Sequence, residues 1–137
     1  IVVLPAIGLL LFLVSSGQLC INCAKVTGSY TTDIKLDESS LSINVVLKQD
    51  QGNIVGQVVV SEQKPPTPSN ASRQYLEVIH TGKIRQRTVA FKTYPRSGQT
   101  PRFEFTGEAV GEHELKGNLV VNMPEIGCVG RFPVDLK

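Results

Sequence analysis

The first charged residue in this chain is Lys25, and that fact divides it in two. Residues 1–24 run from Ile1-Val2-Val3-Leu4-Pro5 through Leu9-Leu10-Leu11-Phe12-Leu13-Val14 to Leu19-Cys20-Ile21-Asn22-Cys23-Ala24 without a formal charge. Wound as a helix at ~1.5 Å per residue, the run would extend about 36 Å, enough to cross the hydrocarbon core of a bilayer. Pro5 falls near its start, where a missing N–H is tolerated. A retained single-pass anchor over residues 1–24 is therefore expected. A secretory signal competes with it, since Ile1 to Val14 has the length of an apolar signal core and Ser15-Ser16 offers small residues for cleavage. A helix buried in a soluble core is the third reading. Leu19 before Cys20 and Asn22 before Cys23 make a poor lipoprotein signal.

From Lys25 to Lys137 the pattern changes to short alternating segments separated by turns, enough chain for one domain with a modest core. Leu41, Ile43, Val45 and Leu47 alternate with Ser42, Asn44 and Lys48, the period-two signature of a strand with one buried face. Asp50-Gln51-Gly52-Asn53 reads as a hairpin turn. Strands are expected over 26–36, 41–48, 54–61, 75–84, 88–94, 102–107, 112–121 and 127–136. The loop from Glu62 to Ala71 carries three prolines, which bar it from a central strand. With no helical pattern between strands, the fold class is all-β: a small antiparallel meander closed into a roughly eight-stranded barrel, since closure removes both sheet edges, with a two-sheet sandwich as the alternative.

Alternation assigns Leu41, Ile43, Val45, Leu47, Val58, Val60, Leu76, Val78, Val89, Phe91, Phe103, Phe105, Leu115, Leu119 and Phe132 to the interior. So many large side chains predict a filled barrel, not a hollow one. His80 shares parity with Leu76 and Val78, and His113 with Leu115 and Leu119, so both imidazoles are expected to point inward.

Formal charge is +2, which argues against nucleic acid as a partner. The charge is uneven, however. Lys83, Arg85, Arg87, Lys92, Arg96 and Arg102 form a basic stretch that is the candidate partner-binding surface, with membrane lipid meeting residues 1–24. The competing reading is a solvated face balanced by Glu104, Glu108, Glu112 and Glu114. Cys20 and Cys23 have redox or metal spacing, but no second pair completes a zinc site and Ala24 stands where haem attachment needs His. In a closed barrel the first and last strands are neighbours, which allows a Cys23–Cys128 disulfide in an oxidising compartment. No Gly-x-Ser-x-Gly elbow, P-loop, His-Glu-x-x-His or carboxylate pair is present, so neither catalysis nor a cofactor or metal is expected. Asn70-Ala71-Ser72 matches the N-glycosylation triplet by itself.

Gly28-Ser29-Tyr30, Gly52 to Gly56, Gly82-Lys83-Ile84, Phe103-Glu104-Phe105-Thr106-Gly107, Leu115-Lys116-Gly117 and Gly127-Cys128-Val129-Gly130-Arg131-Phe132 repeat one plan of turn glycines and apolar positions. Together they resemble the small extracytoplasmic lipocalin-like β-barrel domains of bacteria, over nearly all of residues 25–137. Lipocalins open on Gly-x-Trp and lay an Arg of the last strand over that Trp. The resemblance implies that Tyr30 and Arg131 form the matching barrel-closing pair, by a guanidinium on an aromatic face. It also implies a membrane location with the β domain on the extracytoplasmic, periplasmic side. The function expected is that of an accessory subunit docking by helix and barrel onto a larger membrane complex, an electron-transfer or photosynthetic assembly being one suitable host. The alternative is a lipocalin-like binding module for a small apolar ligand or lipid at the membrane surface.

Overall fold

The computed structural model describes residues 20–37, 39–63, 73–95 and 100–137. The apolar run 1–19, residues 64–72 of the Pro-rich loop with its Asn70 triplet, and Arg96 lie outside the described residues. No helix among the described residues is long and apolar enough to cross a membrane.

Eight antiparallel strands follow one another in space as they do in sequence: β1 (Gly28–Lys35), β2 (Ser40–Asp50), β3 (Asn53–Gln63), β4 (Arg73–Arg85), β5 (Thr88–Thr93), β6 (Phe103–Ala109), β7 (Leu115–Met123) and β8 (Cys128–Leu136). A single 3₁₀ turn, Pro124–Ile126, joins β7 to β8. The hairpins β2–β3 and β4–β5 close through two-residue turns, Gln51-Gly52 and Gln86-Arg87, each with its glutamine at positive φ (57° and 56°). The meander curls until β8 meets β1. There the Thr31 N–H donates to Lys137 O at 2.9 Å and the Lys137 N–H donates to Thr31 O at 3.2 Å. This reciprocal pair makes a nearly closed barrel. Pro133 lies on β8 with the parity of Lys137, so its missing N–H falls on the seam side, where no ladder bond is lost.

The interior is packed with side chains. Leu41, Ile43, Val45 and Leu47 of β2 are all buried, as are Val58, Val60, Val89, Phe91, Phe103, Phe105, Leu115 and Leu119. The rings of Phe91 and Phe105 stack with centroids 5.3 Å apart. Burying each such side chain contributes roughly 1.5–3 kcal/mol, so this core supplies most of the drive to close the sheet. Backbones approach closely where the sheet bends. Gly56 sits opposite Leu47 at φ 152°, and a Cβ there would collide with the Val46 carbonyl.

Two of the apolar interior assignments made from alternation do not hold. Leu76 and Val78 face solvent at 52% and 49% exposure, whereas Phe132 is partly buried and packs against the core. The two exceptions have a definite cause. On one side of β4 the register changes between Asn53↔Lys83 and Gln57↔Val78; on the other it changes between Ile79↔Thr93 and Thr81↔Lys92. Both shifts place one extra residue in β4 at His80, a β-bulge. Alternation runs Glu77, Ile79 inward before it and Gly82, Ile84 inward after it. Extending the second parity back through the bulge puts Leu76, Val78 and His80 on the wrong face. His80 is exposed, and so is His113, which lies in the β6–β7 connection.

Replacing Gly56 by alanine adds left-handed strain and a backbone collision, and is expected to remove about 2–3 kcal/mol of stability or more. Gly111→Ala, at φ 69° in open space, should cost about 1 kcal/mol. Urea midpoints compare the two, and equal shifts would show that strand contact at Gly56 is not limiting.

Candidate functional site

The basic stretch divides between two places. Lys83 and Arg85 of β4 and Lys92 of β5 are exposed on the outer face, where Lys83 opposes Ala90, Arg85 opposes Thr88 and Lys92 opposes Thr81. Arg87 is in the adjoining turn and is partly engaged: its Nε donates to Ala109 O at 2.8 Å while the Ala109 N–H donates to Arg87 O at 2.7 Å. Lys92 also stands across from Glu104 on β6, so part of this face is charge-balanced.

Arg102 lies at the far end of the barrel. Its Nε is 3.3 Å from Glu77 Oε1, its Nη1 is 2.6 Å from Glu125 Oε1, and its guanidinium carbon is 6.0 Å from the Tyr75 ring centroid. Glu77 is buried inside the barrel, as is Glu62. A carboxylate in that position needs a cation and hydrogen bonds to offset its lost hydration. Arg102 thus ties β4, the start of β6 and the 3₁₀ turn together from within.

The outer face of β2 to β5 carries the apolar side chains that the bulge turns outward. The cross-strand row Val46, Gln57, Val78 continues to Tyr94, whose N–H donates to Val78 O at 2.9 Å, and Val59 opposes Leu76 beside it. Tyr94 is 52% exposed and takes the ring of His80 edge-on, with centroids 4.3 Å apart. Beside this row is a depression of about 540 Å³, lined by Lys48, Asp50, Asn53, Ile54, Val55, His80, Thr81, Gly82 and Lys83. His80 Nδ1 lies 2.9 Å from Thr81 Oγ1, and Lys83 Nζ donates to Asn53 Oδ1 at 2.6 Å. Gly82 belongs here because a Cβ would strike the Ile54 backbone, holding β4 away from β3. A glycine inside an alternating strand is the one local sign of a bulge that the sequence offers.

At the opposite pole from Arg102, residues 20–27 lie across the barrel end. Cys23 is joined to Cys20, and Cys128 is a buried free thiol, so the expected Cys23–Cys128 bridge is not formed. The reason is topological: Cys128 begins β8 at the 3₁₀ end, whereas Cys23 lies beside the β4–β5 turn, its Sγ 3.9 Å from Ile84 O. The Ala24 N–H donates to Gln86 O at 2.8 Å and the Val26 N–H to Gln49 Oε1 at 2.9 Å. Burial pushes the Cys128 thiol pKa up, which keeps it protonated and unreactive.

Tyr30 is buried beside this end, but its aromatic partner is not Arg131. The Tyr30 ring stacks on His113 with centroids 4.4 Å apart and planes 8° from parallel. His113 Nε2–H donates to Ser29 O at 2.8 Å, and Tyr30 Oη donates to Val26 O at 2.9 Å. Burial raises the Tyr30 pKa. Arg131 is exposed on β8 opposite Val120, six residues before the Lys137 that meets Thr31. A loop histidine therefore closes this corner, and its position six residues before Leu119 carries no sequence sign of that role.

No group of three or more His, Cys, Asp or Glu placed to hold a metal ion occurs among the described residues. Compared with known proteins, the chain matches no family model, no curated protein and no solved structure.

Two outcomes test these placements. Arg102→Ala removes the guanidinium beside buried Glu77 and should cost about 3 kcal/mol, whereas Glu125→Ala, at a half-exposed partner, should cost under about 1 kcal/mol. Equal losses in denaturant melts would place the Arg102 contribution at the surface. Alkylation of unreduced protein should label no thiol in the folded state and Cys128 alone after unfolding, with Cys20 and Cys23 recovered in one disulfide peptide. A peptide linking Cys23 to Cys128 would overturn the assignment.

Proposed function

We propose that this chain is a non-catalytic accessory subunit of a membrane protein complex. In this reading residues 1–24 form a single-pass anchor in lipid, and a lipocalin-like barrel stands on the extracytoplasmic, periplasmic side and docks on neighbouring subunits. The observation that carries the proposal is the outer face of β4 and β5. There Leu76, Val78 and Tyr94 lie exposed beside Lys83, Arg85 and Lys92, on a barrel whose interior is occupied by its own side chains. Contiguous exposed apolar residues rimmed by charge mark interaction surfaces. An aromatic and an arginine are the residue types that anchor such contacts.

The Cys20–Cys23 disulfide suits an oxidising compartment, which favours the extracytoplasmic placement. The alternative, carriage of a small apolar ligand, needs an interior of roughly 300 Å³ or more. Tyr30, Phe103, Phe105, Leu115, Leu119 and Met123 are fully buried in that space, which favours docking over carriage.

Membranes extracted in mild detergent should yield the chain in a large complex of defined stoichiometry on native gels, with partners identified by mass spectrometry. Charge reversal at Arg85→Glu with Lys92→Glu should release it from that complex while lowering its melting temperature only slightly, since both side chains are exposed and a second carboxylate opposite Glu104 costs about 1 kcal/mol or less. Migration of the wild-type chain alone, or co-migration untouched by the double reversal, would sink the docking reading.

A further inference from the structure

The depression on the outer flank of β2, β3 and β4 adjoins the docking face, with which it shares Lys83, and its chemistry is that of an anion site. Lys48 and Lys83 bring two ammonium groups to it, and Asn53 Oδ1, 2.6 Å from Lys83 Nζ, orients one of them. His80 adds an imidazole whose position is fixed twice, by Thr81 Oγ1 at Nδ1 and by the Tyr94 ring, leaving Nε2 for a ligand. Asp50 is the acidic residue in the lining, so the two lysines leave it net positive. The cavity is also built: the extra residue at His80 and the missing side chain at Gly82 set the local path of β4. Bulges commonly re-aim side chains at binding sites in this way.

Position narrows the ligand. The chain reaches the barrel at Cys20, whose N–H donates to Gln51 Oε1 at 3.4 Å, on the same hairpin whose Asp50 and Asn53 rim the depression. Cys20 itself is therefore beside the depression. Val55, 55% exposed, supplies an apolar side chain on the depression's wall, and Ile21, 66% exposed, follows Cys20 in the chain. Paired ammonium groups next to exposed aliphatic side chains match a phosphate attached to acyl chains.

We infer that the depression binds the phosphate headgroup of an anionic phospholipid through Lys48 and Lys83, seating the barrel against the bilayer on that flank. The inference rests on the anchor reading of residues 1–24 for the source of the phosphate, and on the lining residues for the binding itself.

The test is a titration of the full chain in maltoside micelles with short-chain phosphatidylglycerol, short-chain phosphatidylcholine and inorganic phosphate, followed by the amide shifts of Asn53, Thr81, Gly82 and Lys83. Phosphatidylglycerol should produce saturable shifts, with phosphatidylcholine about tenfold weaker or more. Lys48→Gln with Lys83→Gln should weaken phosphatidylglycerol binding by a similar factor, whereas Lys116→Gln on β7 should bind as the wild type does. Both lysines of the pair are exposed, so their replacement leaves the fold intact. No saturable shift, or equal response to the zwitterionic lipid, would overturn the site. Inorganic phosphate binding as tightly at the same amides would overturn the lipid as its source. The titration needs no partner subunit, so a failed native-gel experiment and a failed lipid site remain distinguishable.

Discussion

An eight-stranded sheet curled on itself encloses a space that side chains from opposite walls just fill, and each residue along a strand must face either that space or solvent. This two-sided constraint governs the molecule. Once Leu41, Ile43, Val45 and Leu47 commit β2 inward, the antiparallel register commits Val58 and Val60 of β3 and Tyr30 and Ile34 of β1 with them. Curvature then brings β8 to β1, and one reciprocal backbone pair between Thr31 and Lys137 suffices because the core already holds the two edges together. His113 covers the adjoining corner by stacking on Tyr30.

The constraint is broken once, at His80, and much of what distinguishes this barrel follows from that break. One inserted residue exchanges the two faces of β4. Apolar Leu76 and Val78 are sent outside, and Glu77 is brought inside. Exposing two aliphatic side chains while burying a carboxylate is unfavourable by itself, and Arg102 offsets the burial by reaching across from the start of β6. That contact does nothing for the two aliphatic side chains left in solvent. Those two exposed side chains are the observation on which the docking proposal rests.

The fold was legible because its evidence is repeated: seven of eight strands obey simple alternation, and short Gly- or Pro-bearing connections leave no room for helices. The candidate surface was legible only in part. Lys83, Arg85 and Lys92 do share an outer face, since strand parity carries Lys83 and Arg85 together and hairpin pairing brings Lys92 alongside. Arg102 is separated from them because its position beyond the β5–β6 connection puts it at the other pole, a distance that charge counting along the chain does not register. Leu76, Val78 and His80 were misplaced because parity extrapolates, and a single bulge reverses every residue beyond it. The Tyr30–His113 stack and the Cys20–Cys23 bond were not legible, since each depends on where a loop or terminal segment comes to rest.

That last bond shows how local the organisation of the pole covered by residues 20–27 is. A cross-link between residues three apart restrains the unfolded chain by only about 2 kcal/mol, whereas one joining Cys23 to Cys128 would contribute more than about 4 kcal/mol. The protein forgoes the more stabilising cross-link, with Cys128 kept as a buried thiol in the core. The short-range bond instead fixes a segment whose members Ala24 and Cys20 are hydrogen-bonded to the tips of two hairpins, at Gln86 and Gln51. Its effect falls on the direction in which the chain joins the barrel more than on whether the barrel folds. For a domain read as tethered at this pole, a fixed direction of attachment determines which flank faces the bilayer, and it is the flank of Lys48, His80 and Lys83 that adjoins the Gln51 hairpin.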